Sequence, residues 1–192
     1  NVGRIPLTDA ELVKALLLSQ ISDKDRAYRA SELAAEWDRI ERDLRRPDVW
    51  AFVTTSVPDD YPTRITLLLD TLADAIHGAT ARGTRPRYFT FEVLREQIEK
   101  DGPRAVWDRV VDLHGLVLGW YESRDLYHKV GYLVAVGQPF ADLVSLAHGC
   151  TKSEFEALLD ARIRGSLDLS PSQVSELSYD ANYEKCSHVL LL

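Results

Sequence analysis

The sequence predicts an all-α protein, an irregular multi-helix bundle of about ten helices around a central helical hairpin at 103–136. Three observations carry this. Apolar residues recur at i, i+3, i+4 and i+7 along most of the chain. Helix start and stop signals bracket those stripes: Thr-x-x-Glu boxes, prolines at first helical positions and glycines just past the ends. No stretch sustains the period-two alternation of a half-buried strand, no Asn-Gly hairpin turn occurs, and no internal repeat is visible.

The hairpin organises the rest. Gly102 suits the end of one helix and Pro103 the first position of the next. Val106, Val110, Leu113, Val117 and Trp120 form one face, and Trp107, Val111, His114, Leu118 and Tyr121 the stripe beside it. A helix apolar over so much of its girth expects neighbours on more than one side. Gly115 and Gly119, one turn apart, predict a close helix approach. Ser123 is placed to cap the second arm, whose apolar face is Leu126, Val130, Leu133 and Val134, with Gly137 at its end.

Taken in order, Asn1–Pro6 reads as an extended lead-in. Thr8 and Glu11 form a capping box, with Leu7 and Leu12 at the hydrophobic-staple positions and a core face of Leu12, Ala15, Leu16 and Leu18. Ser22 or Asp23 opens a longer helix with the stripe Leu33, Trp37, Ile40, Leu44. Its charges Glu36, Asp38, Arg39, Glu41 and Arg42 read as a solvated face. Pro47 starts a short helix carrying Val49, Trp50 and Phe52, and Thr54–Tyr61 is turn-rich. Pro62 or Thr63 begins a helix with Ile65, Leu68, Leu69, Leu72 and Ile76 inward. His77–Arg87 reads as a flexible loop. Thr90 is the predicted cap of a helix through Phe91, Leu94 and Ile98. After the hairpin, Pro139–His148 is a short helix closed by Gly149. Thr151 and Glu154 form a second capping box before Phe155, Leu158, Leu159 and Ile163. Ser170–Gln173 is a further start, and Asn182–Leu192 is predicted helical.

The 192 residues suffice for one core, and the expected organisation is a single all-helical domain over 1–192. The net charge of −7 argues against nucleic-acid binding by bulk attraction. No run approaches the roughly 20 apolar residues of a membrane span. Cys150 and Cys186 have no metal-ligand spacing and read as reduced thiols of a cytoplasmic protein. The absence of methionine at Asn1 and the apolar end at Leu192 read as the boundaries of a piece of a longer protein.

Little in the sequence has the form of a catalytic motif. His77, His114, His128, His148 and His188 show no HxH or HExxH arrangement, so no metal site is expected. His114, on an apolar stripe, reads as a hydrogen-bonded core histidine. The candidate polar cluster is Tyr121, Asp125, His128 and Tyr132, at i, i+4, i+7 and i+11 of a helix continuous from Trp120. There Asp125 would orient and charge His128. The competing reading is an interhelical hydrogen-bond cluster, since no nucleophile or metal accompanies it. Pro58-Asp59-Asp60 has the form of a nuclease PD motif but lacks the acidic-x-Lys that should follow, and reads as a turn. Arg82, Arg85 and Arg87 are suited to phosphate, or are simply solvated.

Several segments resemble, in order, GmrSD-type restriction proteins: 1–18 (NVGRIPLTDAELVKALLL), Glu36–Glu41 (EWDRIE), Tyr61 with Arg64-Ile65 through Asp70, Trp120-Tyr121 through Leu126–Leu133, and the closing Leu190–Leu192. In that family a ParB/sulfiredoxin-like domain with a DGQQR motif binds and hydrolyses nucleotide, and an HNH-type nuclease often follows. Together they act against modified phage DNA. Neither motif occurs here. The resemblance implies a non-catalytic helical middle region between those parts. It implies no catalytic residue and no cofactor in this chain, although the parent would use a nucleotide and a divalent metal. The implied partners are the flanking domains and, through the parent, modified DNA; a homo-oligomer is a further option, and no membrane is implied. The alternatives are a helical interaction or oligomerisation module and, more remotely, an independent hydrolase using Asp125 and His128.

Overall fold

The structure, a computed structural model, describes residues 6–21, 26–78 and 84–167. All of the predicted lead-in but Pro6, the Ser22/Asp23 start, the centre of the His77–Arg87 loop and everything from 168 onward, including the two last predicted helices, lie outside them. Within the described residues the protein is all-α, with nine α-helices and no strand. They are α1 (Asp9–Ser19), α2 (Arg26–Leu44), α3 (Pro47–Val53), α4 (Thr66–His77), α5 (Phe89–Asp101), α6 (Pro103–Glu122), α7 (Arg124–Ala135), α8 (Phe140–Ala147) and α9 (Lys152–Leu167).

Local signals place most of these ends. At the start of α1, Thr8 Oγ1 accepts the Glu11 N–H while the Glu11 carboxylate accepts the Thr8 N–H at 2.8 Å. The same reciprocal box opens α9 through Thr151 and Glu154. In both, the threonine backbone N–H first, and its hydroxyl second, hold the glutamate carboxyl below its ordinary value. Gly102 ends α5 at φ +89°, and Gly137 closes α7 at φ +92° with its N–H on the Val134 carbonyl. Pro58–Asp60 is a 3-10 turn, as its composition predicts.

The described residues divide into two compact units, the first from the parts before 50 and from 56 to 117, the second from 50–55 and the part from 118 onward; the divisions fall within α3, just after it, and within α6. In the first unit α1 packs on α5, α4 on α5 and α1 on α4. Its core holds Leu33, Trp37, Ile40 and Leu44 of α2 and Val106, Val110, Leu113 and Val117 of α6, as the periods require. In the second unit α9 packs on α7 and α8. Trp120 stacks on Phe155 at 4.7 Å and meets Phe140 edge-on at 5.7 Å. The Lys129–Asp160 pair and the Tyr132–Ser166 hydrogen bond succeed one another in the same order along α7 and α9. Those two helices therefore run in the same sense.

Several expectations are corrected. The buried face of α1 is Ala10, Val13 and Leu17, not Leu12, Ala15 and Leu16. That helix has apolar residues all round, so its period leaves the face open and contact with α4 and α5 decides it. Leu7 is 54% exposed and fastens no staple. Helix α4 begins at Thr66, after a turn at 63–65, and leaves Ile76 exposed while burying Leu67 and Ala73. Leu158 is also exposed. Gly115 and Gly119 face open space: a Cβ at either would meet nothing within 4 Å. Ser123 sits at the N-cap of α7, but its side chain makes no capping bond.

Candidate functional site

Three helix starts meet at one cleft of about 320 Å³ in the first unit. Thr8 and Asp9 come from α1, Thr63 and Thr66 from the entry to α4, and Phe89 and Thr90 from α5. Asp60, Tyr61, Pro62, Asp70, Arg85 and Pro86 complete the lining. Helix N-termini carry unpaired N–H groups and a partial positive charge, so such a meeting point must be met by acceptors. Carboxylates do this for all three. Glu11 closes its own box on α1. Asp9 reaches across to accept the Phe91 N–H of α5 at 3.2 Å. Glu41, from α2, accepts the N–H groups of Arg64 and Ile65 at 3.1 and 3.0 Å, at the turn into α4.

Thr90 is therefore not the cap of α5, as its residue type predicts. It lies inside the first turn, buried, and donates its hydroxyl to Asp70 Oδ1 at 2.6 Å. The N-cap is Tyr88, in the left-handed region at φ +63°, with the Arg87 guanidinium 4.7 Å over its ring. Arg85 is not a solvated loop residue. Its guanidinium is nearly buried against Asp74, to which it donates a hydrogen bond, and lies 3.5 Å from Asp70, one turn earlier on α4. It also covers the Phe89 ring at 5.4 Å. The other Asp74 oxygen is buried without a hydrogen-bond partner. Arg64 reaches the carbonyls of Pro58 and Tyr61 and ties the 3-10 turn to the head of α4. The cleft thus has a wall of ion pairs, a rim of threonine hydroxyls and two aromatic rings.

A second arrangement joins α2 to α6 within the same unit. The Trp107 indole N–H donates to Glu36 Oε2 at 2.5 Å, and its ring stacks on Trp37 at 5.8 Å with 9° between planes. Seven residues further along both helices, His114 Nε2 lies 3.1 Å from Asp43 Oδ2. Arg104 and Glu32 approach to 3.8 Å at the other end. The order of these rungs makes α2 and α6 parallel neighbours. Glu36 and Glu41 therefore leave the solvated face that their local pattern predicts, because each finds a partner far along the chain. His114 is buried as expected, with its Nε2 3.1 Å from Asp43 Oδ2 but outside the geometry of a well-formed hydrogen bond.

The predicted polar cluster, Tyr121, Asp125, His128 and Tyr132, rests on one continuous helix, whereas Ser123 adopts an extended backbone (φ −81°, ψ 110°) between α6 and α7. The 3.6-residue register is broken there. Asp125 and His128 are exposed, and no hydrogen bond joins them. Tyr132 is buried with its hydroxyl 3.1 Å from Ser166 Oγ. Tyr121 sits in an aromatic group instead, edge-on to Phe52 and Tyr127, while Tyr127 stacks on Phe52 at 5.5 Å and meets the His128 ring edge-on.

Among the described residues no group of three or more His, Cys, Asp and Glu side chains is placed to hold a metal ion, and no helix is long and apolar enough to cross a membrane. Comparison with protein-family models, with curated proteins and with solved structures gives no match.

Proposed function

We propose that this chain is the helical middle region of a GmrSD-type anti-phage restriction protein, linking a nucleotide-binding part to a nuclease part without a catalytic centre of its own. One observation supports the reading above the others. Three of the segments that resemble that family, 1–18 in its described part, Glu36–Glu41 and Tyr61–Asp70, come together at the cleft and its supports. Thr8 and Asp9 line it, Glu41 holds the backbone of Arg64 and Ile65, and Tyr61 and Asp70 complete its wall. Residues that resemble a family in loose, separated motifs, and then meet through specific bonds, fit a region whose task is to hold a fixed shape between two working parts.

The experiment uses the purified chain and its parent protein side by side. With magnesium or manganese present, the chain alone should release no phosphate from nucleoside triphosphates and leave both plain and base-modified DNA intact. The parent should cleave modified DNA in a nucleotide-dependent way. Metal-dependent nicking by the chain alone, abolished by His128→Ala, would overturn the proposal in favour of an independent hydrolase.

A further inference from the structure

The α2–α6 seam holds two rungs that differ in kind. At Glu36–Trp107 the donor is an indole N–H, which carries its proton at every physiological pH. At Asp43–His114 the ring is an imidazole, the side chain whose unperturbed proton exchange lies nearest neutral pH. The imidazole is only 3% exposed, beside the buried apolar side chains of Val110, Leu113 and Val117 on its own helix. Its Nε2 faces Asp43 without the alignment of a hydrogen bond, and Asp43 itself is partly open to water at 26% side-chain exposure. Among the described residues the charged groups acting on the ring are Asp43 and Arg39, both on α2, and they act in opposite directions.

We propose that His114 is a proton-operated joint of the α2–α6 seam, neutral and seated above the ordinary imidazole range and loosened by acid. The seat fits an uncharged ring. A proton would place a positive charge in an apolar wall. The compensating carboxylate is misaligned and partly hydrated, and Arg39 repels the same charge. A pair in that geometry returns less than the cost of removing the cation from water.

The direction of the pKa agrees: burial first, then Arg39, hold His114 below its ordinary value of 6.5, against the pull of Asp43. Above that value neither the folded nor the unfolded state is protonated at this residue, and His114 adds no pH dependence. As the pH falls below it the unfolded chain takes up the proton before the folded one, so stability declines. The decline ends once the folded form is protonated too.

The test is a proton NMR titration of the imidazole signals in the wild-type chain, joined to denaturant midpoints from pH 7.5 to 5. The expected result is a His114 midpoint below the ordinary imidazole value of 6.5. Amide exchange around 107–117, corrected for intrinsic rate, should speed up on acidification. Asp43→Asn should move the His114 midpoint lower still, because it removes the one group that favours the proton. In His114→Gln the part of the acid-induced fall in denaturant midpoint that belongs to this residue should vanish. A His114 midpoint at or above 6.5, or exchange at 107–117 unchanged by acid, would overturn the proposal without any variant having to fold.

Discussion

Replacing Glu41 by alanine removes one carboxylate that serves three donors: the N–H groups of Arg64 and Ile65 and the Arg45 guanidinium, whose Nε lies 2.9 Å away. The two backbone bonds matter most. Ile65 is fully buried, and its N–H has no intrahelical acceptor at the turn into α4. A hydrogen bond to a charged acceptor contributes about 1.5–3 kcal/mol, and a buried donor left unpaired costs about 1–3 kcal/mol. Arg45 is more than half exposed, so its pairing adds less than about 1 kcal/mol. Water can reach the partly buried Arg64 N–H after truncation, which places the net loss for Glu41→Ala at about 2–4 kcal/mol. Glu41→Gln keeps one acceptor oxygen and should lose about half as much. Urea unfolding followed by tryptophan fluorescence measures the total. Amide exchange at Ile65, a residue 24 positions from the substitution, locates it. A loss below about 0.5 kcal/mol, with Ile65 protection unchanged, would refute the claim that Glu41 anchors the head of α4.

Two further substitutions probe other parts of the fold. Trp120→Ala should cost about 3–5 kcal/mol, because the ring is buried between Phe140 and Phe155; a denaturant shift under about 1 kcal/mol would mean those contacts contribute little. Arg85→Met should destabilise by about 3 kcal/mol by leaving Asp70 and Asp74 as nearly buried carboxylates without their shared cation, and Asp70→Asn in that background should restore part of the loss in the same unfolding assay.

What the sequence discloses and what it hides divide along one physical line. The stripes of α2 and α6 are legible because a strongly one-sided period admits a single buried face, and both capping boxes are legible because their partners are three residues apart. Helix α1 offers apolar residues on every side, so its face is chosen by neighbours that no local pattern names. Glu36, Glu41 and Arg85 read as solvent-facing charges for the same reason. Their partners are Trp107, the Arg64–Ile65 backbone and the aspartates of α4, and only the folded chain brings them near. The cleft is invisible at that level, since it is made by three helix starts from separate parts of the chain. The Tyr121–Tyr132 set fails to align as a face because a single extended residue, Ser123, resets the register of what otherwise looks like one long helix.

The parallel course of α2 and α6 governs how the first unit comes into being on the ribosome. Two helices that run the same way cannot be joined by a short turn, and here the bond between Glu36 and Trp107 spans 71 positions. The tie between Asp9 and the head of α5 spans 82. A nascent chain that has emerged only as far as α3 holds Leu33, Trp37, Ile40 and Leu44 before α6, whose Trp107 stacks on Trp37, has been made. At the usual pace of about 5–20 residues per second, that stripe waits several seconds for its cover. The interval is set by topology, since neither a stronger cap nor a better packed stripe can shorten it.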